Sequence, residues 1–231
     1  MSEKVSEERI VTIFPNIENT YQPHHVPVSW VFNRIRNGGN KKRDTLEILQ
    51  RIWQSSDEKE QGLLKCELPC ICFSGKFQKR NNRGILEHSG LVCLDYDHLG
   101  DNLESTRTKI QAIKYTYACF LSPRKDGLKI IIKIPKDIGN HGNYTEALGK
   151  YYPEANYDEF RDISRVCYES YDPEIFINEN SHVFDMKKED KPAVRESIEE
   201  GEKILEAQVL YKNIKKWQEA RDDYYDGNKY K

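Results

Sequence analysis

Short apolar runs separated by turn-forming residues recur along this chain and predict β-strands. Each run is rich in β-branched or aromatic residues and is bounded by Gly, Pro, Asn or Asp, which is the pattern of strands in a folded sheet. The predicted strands are RIVTIF, CICFSG, LVCLDYD, TYACFLS, LKIIIKI and SRVCYES. Only a short turn sequence separates TYACFLS from LKIIIKI, so we expect these two strands to form a hairpin.

Helical spacing of apolar residues occurs between these strands. The segment VSWVFNRIRNGG has this spacing and closes on glycines, as helices often do. Further helical patterns lie near residues 101–113 and 142–152. The buried stripe predicted for the helix RDTLEILQRIW is Leu46, Ile48, Leu49 and Trp53. Strands mixed with helices, and one hairpin, predict an α+β fold rather than a purely parallel sheet.

The carboxy-terminal part differs in composition from the rest. The stretch DMKKEDKPAVRE is charged and nearly free of apolar residues, so we predict one main domain over residues 1–185 and a linker over 186–193. Residues 194–231 are predicted to contain a long amphipathic helix that docks on the core or begins a further region of a longer polypeptide. Its apolar stripe is Leu205, Val209, Leu210, Ile214 and Trp217.

Composition supports a globular protein rather than a disordered or membrane-spanning one. The chain has 231 residues, of which 37% are hydrophobic and 32% charged, enough apolar surface for one main core. No run reaches the roughly 20 apolar residues of a membrane helix. The opening MSEKVSEER is too acidic for a targeting peptide. We expect the cytoplasm of a prokaryotic cell or phage host, with the six cysteines mostly packed as reduced thiols in the strands.

The net charge is −2, yet two local segments are strongly basic. Basic runs are most often solvated surface, and here they also suggest phosphate binding. The first, GKFQKRNNR, carries Lys76, Lys79, Arg80 and Arg83 without an acidic neighbour. The second, SPRKDGLKIIIK, carries Arg124, Lys125, Lys129 and Lys133 with one acid, Asp126.

The strongest candidate chemistry lies in GLVCLDYDHLG. Side chains alternate along a strand, so Asp95 and Asp97 project from the same face about 7 Å apart. Two like charges on one face suit a pair of Mg²⁺ or Mn²⁺ ions, which polymerases and nucleases hold about 4 Å apart. The alternative is a strand end whose two acids face water.

Two further segments add possible partners for this acidic pair. In LKIIIKI, Lys129 and Lys133 share a face with Ile131, so Lys129 could hold a triphosphate beside the acids. The alternative is an edge strand that lysines protect from aggregation. In NYDEFRDISRVCYESYDPEIFIN, a third acid, Asp158 or Asp162, could complete a two-metal site. Arg165 in the same segment could grip phosphate.

The order DYD, then S…GLK, then D…SR resembles the archaeo-eukaryotic primase superfamily, the primase-polymerases. Two longer segments, CFSGKFQKRNNRGILEHSGLVCLDYDHL and DISRVCYESYDPEIFINENS, resemble the amino-terminal domain found ahead of virulence-associated E type primase-helicases of phages and mobile elements. This resemblance covers roughly residues 65–180. It implies a core resembling an RNA-recognition fold, with a mixed or antiparallel sheet, an additional amino-terminal α/β unit and the active site between them.

The resemblance also implies roles for individual residues. The implied metal ligands and catalytic residues are Asp95, Asp97 and Asp158. The implied nucleotide contacts are Ser122, Lys125, Lys129 and Arg165. The implied nucleic-acid contacts are Lys76, Lys79, Arg80, Arg83 and His88. Lys129 departs from the pattern, because many superfamily members have histidine there. Lysine keeps a positive charge but has no proton-shuttling capacity near neutral pH.

The predicted function is therefore template-directed nucleotidyl transfer, the reaction of a DNA primase or primase-polymerase. Its partners would be nucleoside triphosphates, a single-stranded DNA template, two Mg²⁺ or Mn²⁺ ions, and a helicase domain or subunit. The alternatives are a two-metal nuclease, and a non-catalytic replication initiator or single-strand binding module with the same fold. A polymerase β-like nucleotidyltransferase would need a Gly-Ser pair upstream of the acids, and here Ser89-Gly90 is reversed and too close.

Overall fold

A computed structural model describes residues 8–39, 45–155 and 161–186 of the chain. The α-helices of these ranges are α1 (Val28–Asn37), α2 (Thr45–Gln54), α3 (Glu58–Glu67), α4 (Leu103–Ala112) and α5 (His141–Leu148). The strands are β1 (Ile10–Phe14), β2 (His24–Pro27), β3 (Cys70–Cys72), β4 (Gly75–Phe77), β5 (Ile85–His88), β6 (Leu91–Tyr96), β7 (Thr116–Leu121), β8 (Leu128–Lys133), β9 (Cys167–Tyr168) and β10 (Phe176–Ile177).

The strands form two four-stranded sheets and one small hairpin. The first sheet has the order β2-β1-β3-β9, the second has the order β10-β7-β8-β6, and β4 pairs with β5. Neighbouring strands run antiparallel in all three. The prediction of an α+β fold without a purely parallel sheet is confirmed, as is the hairpin of β7 and β8.

The two faces of the second sheet bury different sets of residues. Ile131 of β8 and Cys93 of β6 belong to a core that also contains residues of the first sheet and α1. Ile130 and Ile132 belong to a second core with residues of α4, α5 and Phe184. The predicted alternation along LKIIIKI is therefore confirmed, because a strand directs successive side chains to opposite faces.

Helix α1 packs at the junction of the two sheets. The ring of Phe32 lies 6.5 Å from that of Phe73 and 5.4 Å from that of Tyr117, measured between centroids. The helix ends at Gly38, which adopts a left-handed conformation with φ 75°, a conformation that glycine accepts without steric cost. The predicted helix with a glycine stop is confirmed.

Other element predictions are only partly matched. SRVCYES pairs as a strand only at Cys167–Tyr168. In α2 the most deeply buried apolar residues are Leu49 and Ile52 rather than the full predicted stripe. Helix α3 and the strands β2, β4, β5 and β10 were not predicted. The linker at 186–193 falls almost wholly outside the described residues, and the helix at 194–231 entirely.

Two composition-based predictions bear on the fold. All six cysteines are free thiols, and five of them are buried, so the prediction of reduced, packed cysteines is confirmed. Among the described helices, none is both long enough and apolar enough to cross a bilayer.

Candidate functional site

Asp95 lies near the end of β6, where it faces Lys129 of β8. The two residues are direct partners in the antiparallel register, and Lys129 Nζ donates a hydrogen bond to Asp95 Oδ2. Each residue is only 8% exposed. The sequence therefore brings a carboxylate and an ammonium together in the interior because each occupies the same face of its strand, and opposed positions of paired strands lie side by side.

Burial affects the protonation of both partners. Burial lowers the pKa of Lys129, but its contacts with neighbouring groups, chiefly the Asp95 carboxylate, together raise the pKa above its ordinary value. Burial raises the pKa of Asp95 above its ordinary value, and Lys129 opposes that rise. Lys129 is therefore charged at neutral pH, and the ionised form of Asp95 depends on the cation beside it.

The second oxygen of Asp95 has an unusual environment. Asp95 Oδ1 is buried and accepts no hydrogen bond from the described residues. A buried carboxylate oxygen without a partner is costly, so it marks a position that a cation or donor would stabilise. Asp97 lies just beyond the end of β6 and is exposed, and its negative charge adds to the rise in the pKa of Asp95.

Two further cations lie close to these residues. Burial lowers the pKa of Lys65, the positive charges of Lys129 and Arg124 lower it further, and Asp95 and Asp97 oppose that shift. We call these five residues, Lys65, Asp95, Asp97, Arg124 and Lys129, the Asp95 cluster. It combines two carboxylates with three cations, so it has a net positive charge that an anionic ligand would neutralise.

Sequence analysis did not assign Arg124 or Lys65 to the site, and the two residues differ in how visible they were in the sequence. Arg124 lay in a predicted basic run, and its Nε is buried without a hydrogen-bond partner in the described residues. Lys65 belongs to α3, which was not predicted. Its ammonium lies 5.4 Å from the centre of the Tyr168 ring on β9. Nothing in the local sequence distinguishes this lysine from a surface lysine.

The loop between β7 and β8, residues 122–127, closes against the end of β6. A Cβ added to Gly127 would lie 2.1 Å from the carbonyl oxygen of Tyr96, so only glycine allows this approach. Ser122 Oγ donates to Asp126 Oδ1 at 3.0 Å, and the Ser122 N–H donates to the Gly127 carbonyl at 2.8 Å. Ser122 therefore stabilises the loop beside the Asp95 cluster.

Helix α2 braces this loop through Trp53. The indole N–H of Trp53 donates to the Pro123 carbonyl at 2.8 Å. Lys125 Nζ lies 3.3 Å from the centre of the indole ring, a cation–π contact. Lys125, a predicted nucleotide contact, is exposed and adopts a left-handed conformation with φ 63°. Its ammonium therefore rests on Trp53 at the rim of the loop.

The third acid of the predicted metal site stays a prediction. Asp158 lies outside the described residues. Asp162 is exposed and accepts hydrogen bonds from the backbone N–H and the hydroxyl of Ser164, at 2.9 and 3.0 Å, so it caps the turn before β9. Arg165 is exposed in the same turn. Among the described residues, no group of three or more His, Cys, Asp or Glu side chains could hold a metal ion.

The predicted nucleic-acid contacts lie on and around the β4–β5 hairpin. Lys76 Nζ pairs with Glu87 Oε2 at 2.5 Å across the hairpin. The Arg80 guanidinium donates to the carbonyl oxygen of Ile17. Arg83 is exposed at the tip. Two of these cations are therefore engaged by the protein itself.

His88 lies at the end of this hairpin but points inward. It is 3% exposed, accepts from the Gly90 N–H through Nδ1 at 2.9 Å, and contacts His141 Nδ1 through Nε2 at 3.0 Å. Burial, and then the neighbouring His141, lower its pKa to about 4. With Nδ1 accepting, the proton lies on Nε2 and is donated to His141. This ring joins β5 to α5 and leaves little surface for a template.

Two buried acids that sequence reasoning missed anchor the segment around residues 169–174. Glu169 accepts from the Arg34 guanidinium and from the Thr45 hydroxyl, the latter at 2.6 Å. Asp172 accepts from Arg107 Nη2 at 2.9 Å and from the Leu121 N–H at 3.0 Å. We attribute a structural role to both acids, since each is buried and paired with a buried arginine.

A surface cavity of about 780 Å³ lies at the opposite end of β8 from the Asp95 cluster. Lys133, which lines it, is separated from Lys129 by most of the strand. Its polar lining includes Arg9, Tyr117, Lys133, Lys136, Glu179 and Ser181. The cavity and the Asp95 cluster are therefore separate features.

Comparison with known protein families gives a match in the central part of the chain. Residues 63–176 are similar to the family described as BT4734-like, N-terminal domain. The matched range includes all five residues of the Asp95 cluster and the whole of the β7–β8 loop. No curated protein and no solved structure matches the chain.

Proposed function

We propose that this chain carries out template-directed nucleotidyl transfer as a DNA primase or primase-polymerase of a phage or mobile element. Nucleoside triphosphates and a single-stranded DNA template would be its substrates. The observation that carries the proposal is the Asp95 cluster, in which Asp95 pairs with Lys129 while its other oxygen is buried without a partner. A surface salt bridge would not leave a carboxylate oxygen in this state.

The carboxylates fit divalent metal ions in their donor chemistry. Asp95 Oδ1 is an orphaned buried acceptor, Asp97 lies two residues further along the chain and is exposed, and Mg²⁺ and Mn²⁺ prefer oxygen ligands of this kind. Asp95 and Asp97 would hold two such ions with Asp158 as a third ligand, since Asp162 is engaged by Ser164 and forms no metal-binding group with them. When bound, the ions would favour ionisation of the attacking 3′-hydroxyl and neutralise charge on the leaving pyrophosphate.

The cations of the cluster supply the remaining requirement, which is binding of a highly charged triphosphate. Lys65 lies within electrostatic range of Arg124, Asp95 and Lys129, and Arg124 retains a buried unpaired N–H that could donate to a phosphate oxygen. Ser122 and Lys125 lie on the adjoining loop, and Arg165 lies on the turn before β9. These side chains would orient the triphosphate while the acids bind metal.

The architecture is compatible with the proposal. Cys93, two positions before Asp95 on β6, belongs to the core shared by the two sheets, so the cluster lies at one end of that shared layer. The primase-polymerase resemblance expects an active site between a core sheet and an amino-terminal α/β unit. The match to the BT4734-like amino-terminal domain does not itself specify an activity.

One observation favours a second candidate, a single-strand binding module without catalysis. Lys129 already neutralises Asp95, so the acid does not need a metal ion to be tolerated in the interior. Strand binding that chelators leave unchanged, with no nucleotide incorporation under any metal, would support this module. Shortened rather than extended strands would indicate a nuclease.

A primer-extension assay tests the proposal. The protein is supplied with single-stranded template, each nucleotide set and Mg²⁺ or Mn²⁺, with and without primer. Asp95→Ala and Asp97→Ala should each reduce extension to below about a hundredth of wild type, because each removes a charged group that stabilises the transition state. Asp97 is exposed, so its variant should lose extension without losing stability, whereas Asp95→Ala also leaves Lys129 buried without its partner. Asp101→Ala, an exposed acid outside the cluster, is the matched control. Wild-type extension by both cluster variants would overturn the site assignment.

A further inference from the structure

Tyr21 is an aromatic side chain turned toward solvent. It is 69% exposed, compared with 41% for Trp30. A tyrosine normally buries most of its ring against the protein. This exposure is therefore a feature that folding alone does not explain.

The loop that carries Tyr21 is held in place rather than loose. Asn19 Oδ1 accepts hydrogen bonds from the backbone N–H groups of Tyr21 and Gln22, at 3.1 and 3.0 Å. Arg80, on the β4–β5 hairpin, donates its own N–H to the Thr20 carbonyl at 3.1 Å and its guanidinium to Ile17. Arg80 therefore fixes the Tyr21 loop against the hairpin tip.

The hairpin tip, residues 78–84, brings positive charge to the exposed ring. Lys79 Nζ lies 4.3 Å from the centre of the Tyr21 ring, so its ammonium covers one face and leaves the other open. Through its hydrogen bond and its charge, Lys79 lowers the pKa of the Tyr21 hydroxyl. Arg83 is exposed on the same tip, and the tip contains no acid.

The other basic residues of this segment are already engaged. Lys76 pairs with Glu87, and the Arg80 guanidinium donates a hydrogen bond to the Tyr21 loop at Ile17. Lys79 and Arg83 are the two cations of the segment for which the described residues provide no carboxylate partner. An exposed ring beside such cations is the combination by which proteins hold single strands, since bases stack on the ring and phosphates pair with the cations.

We infer that Tyr21, Lys79 and Arg83 form a binding site for single-stranded nucleic acid, in which a base stacks on the open face of Tyr21. Lys79 and Arg83 contact the flanking phosphates. The inference rests on the proposed function in that the strand bound here is the template. DNA and RNA share the chemistry that this site recognises, because stacking and phosphate pairing do not depend on the sugar.

Equilibrium binding of labelled oligonucleotides to the full chain, without nucleotides or metal, tests the inference. Oligothymidylate and oligouridylate distinguish DNA from RNA, and an abasic strand of equal length removes the bases while keeping the phosphates. Tyr21→Ala should weaken binding of the base-containing strands about five- to a hundredfold and leave binding of the abasic strand unchanged. Tyr21→Phe, which keeps the ring, should bind nearly as wild type.

The salt dependence separates the cations from the ring. Lys79→Gln and Arg83→Gln should each reduce the slope of log affinity against log salt concentration by about 0.7, the value for one phosphate contact on a single strand. Lys109→Gln, an exposed lysine on α4, should leave the slope unchanged. Circular dichroism checks that each variant is folded.

Two results would overturn the inference. One is wild-type affinity of Tyr21→Ala for both base-containing strands. The other is an equal loss of affinity on the base-containing and abasic strands. Neither depends on extension activity, so strand binding by this site without any extension would leave the inference standing and count against the proposed polymerase. Primer extension by the wild-type protein, together with wild-type strand affinity of Tyr21→Ala, would overturn the inference and support the proposed polymerase.

Discussion

Asp95 and Lys129 lie opposite each other in paired strands and form a hydrogen bond. The loss of folding free energy on replacing one of them therefore depends on whether the other is present. Both are buried. Removing one partner of such a pair leaves an uncompensated charge in the interior, whereas removing both leaves none. The pair is therefore expected to show strong coupling.

Lys129→Met should lower the free energy of unfolding by about 3–5 kcal/mol, because the Asp95 carboxylate is left buried without a cation. The double variant Asp95→Asn/Lys129→Met should lose less than the sum of the two single variants. Urea unfolding of all four proteins measures the coupling. Additive losses would show that the contact contributes no interaction free energy.

The alternation of side chains along β6 and β8 was enough to predict that Asp95 and Lys129 could lie on the same face of the sheet. It could not predict that Asp95 and Lys129 touch, because strand order and register arise from tertiary pairing. The contribution of Lys65 could not be predicted for the same reason, because Lys65 comes near the cluster only through packing between elements that are far apart in sequence.

Between neighbouring elements, the β7–β8 loop approaches the backbone at the end of β6 very closely. Gly127 lies against the Tyr96 carbonyl, and a Cβ there would come within 2.1 Å of it. Gly62, in α3, has open space at the corresponding position. The two glycines thus offer a matched comparison.

Gly127→Ala should destabilise the fold by about 1–3 kcal/mol, because the backbone must move to accommodate the methyl group. It should also lower primer extension, since the loop would shift away from Asp97. Gly62→Ala should instead stabilise by about 0.5–1 kcal/mol, as alanine favours a helix. Thermal unfolding of both variants provides the measurement. A Gly127→Ala protein as stable as wild type would contradict the close approach.

Elements with a strong apolar pattern were predicted, and those without it were missed. β6 and β8 bury nearly every residue and were recognised. Helix α3 buries only Leu64, so its sequence has no stripe to detect. β2 contains two exposed histidines and a proline, and the polar hairpin of β4 and β5 was interpreted only as a basic segment. The pairing of these strands depends on their tertiary context more than on their own sequence pattern.

Over the described domain as a whole, His88 links global stability to pH. Its folded-state pKa of about 4 lies below the ordinary 6.5, so the unfolded chain binds more protons between these values. Stability contributed by neutral His88 is therefore fully present above about pH 6.5 and lost as pH falls toward 4. Protonation of Nδ1 would also direct an N–H at the Gly90 N–H that it now accepts.

His88→Asn should flatten the pH dependence of stability, because asparagine can accept from Gly90 but does not titrate. The wild-type loss across this window should exceed that of the variant by roughly 3 kcal/mol, the free energy of such a pKa difference. Urea unfolding between pH 4.5 and 7.5 measures both, with the exposed His24→Asn as control. Equal slopes in all three proteins would exclude this role.

The buried acids Glu169 and Asp172 complicate any search for function by mutagenesis. An alanine scan that counts every inactive acidic variant as catalytic would include both, because their loss would leave buried arginines without a partner and destabilise the fold. Screening such variants for solubility and cooperative melting before assaying them would separate these residues from the exposed candidate Asp97. Asp95 requires the same screen, because it is itself buried against Lys129.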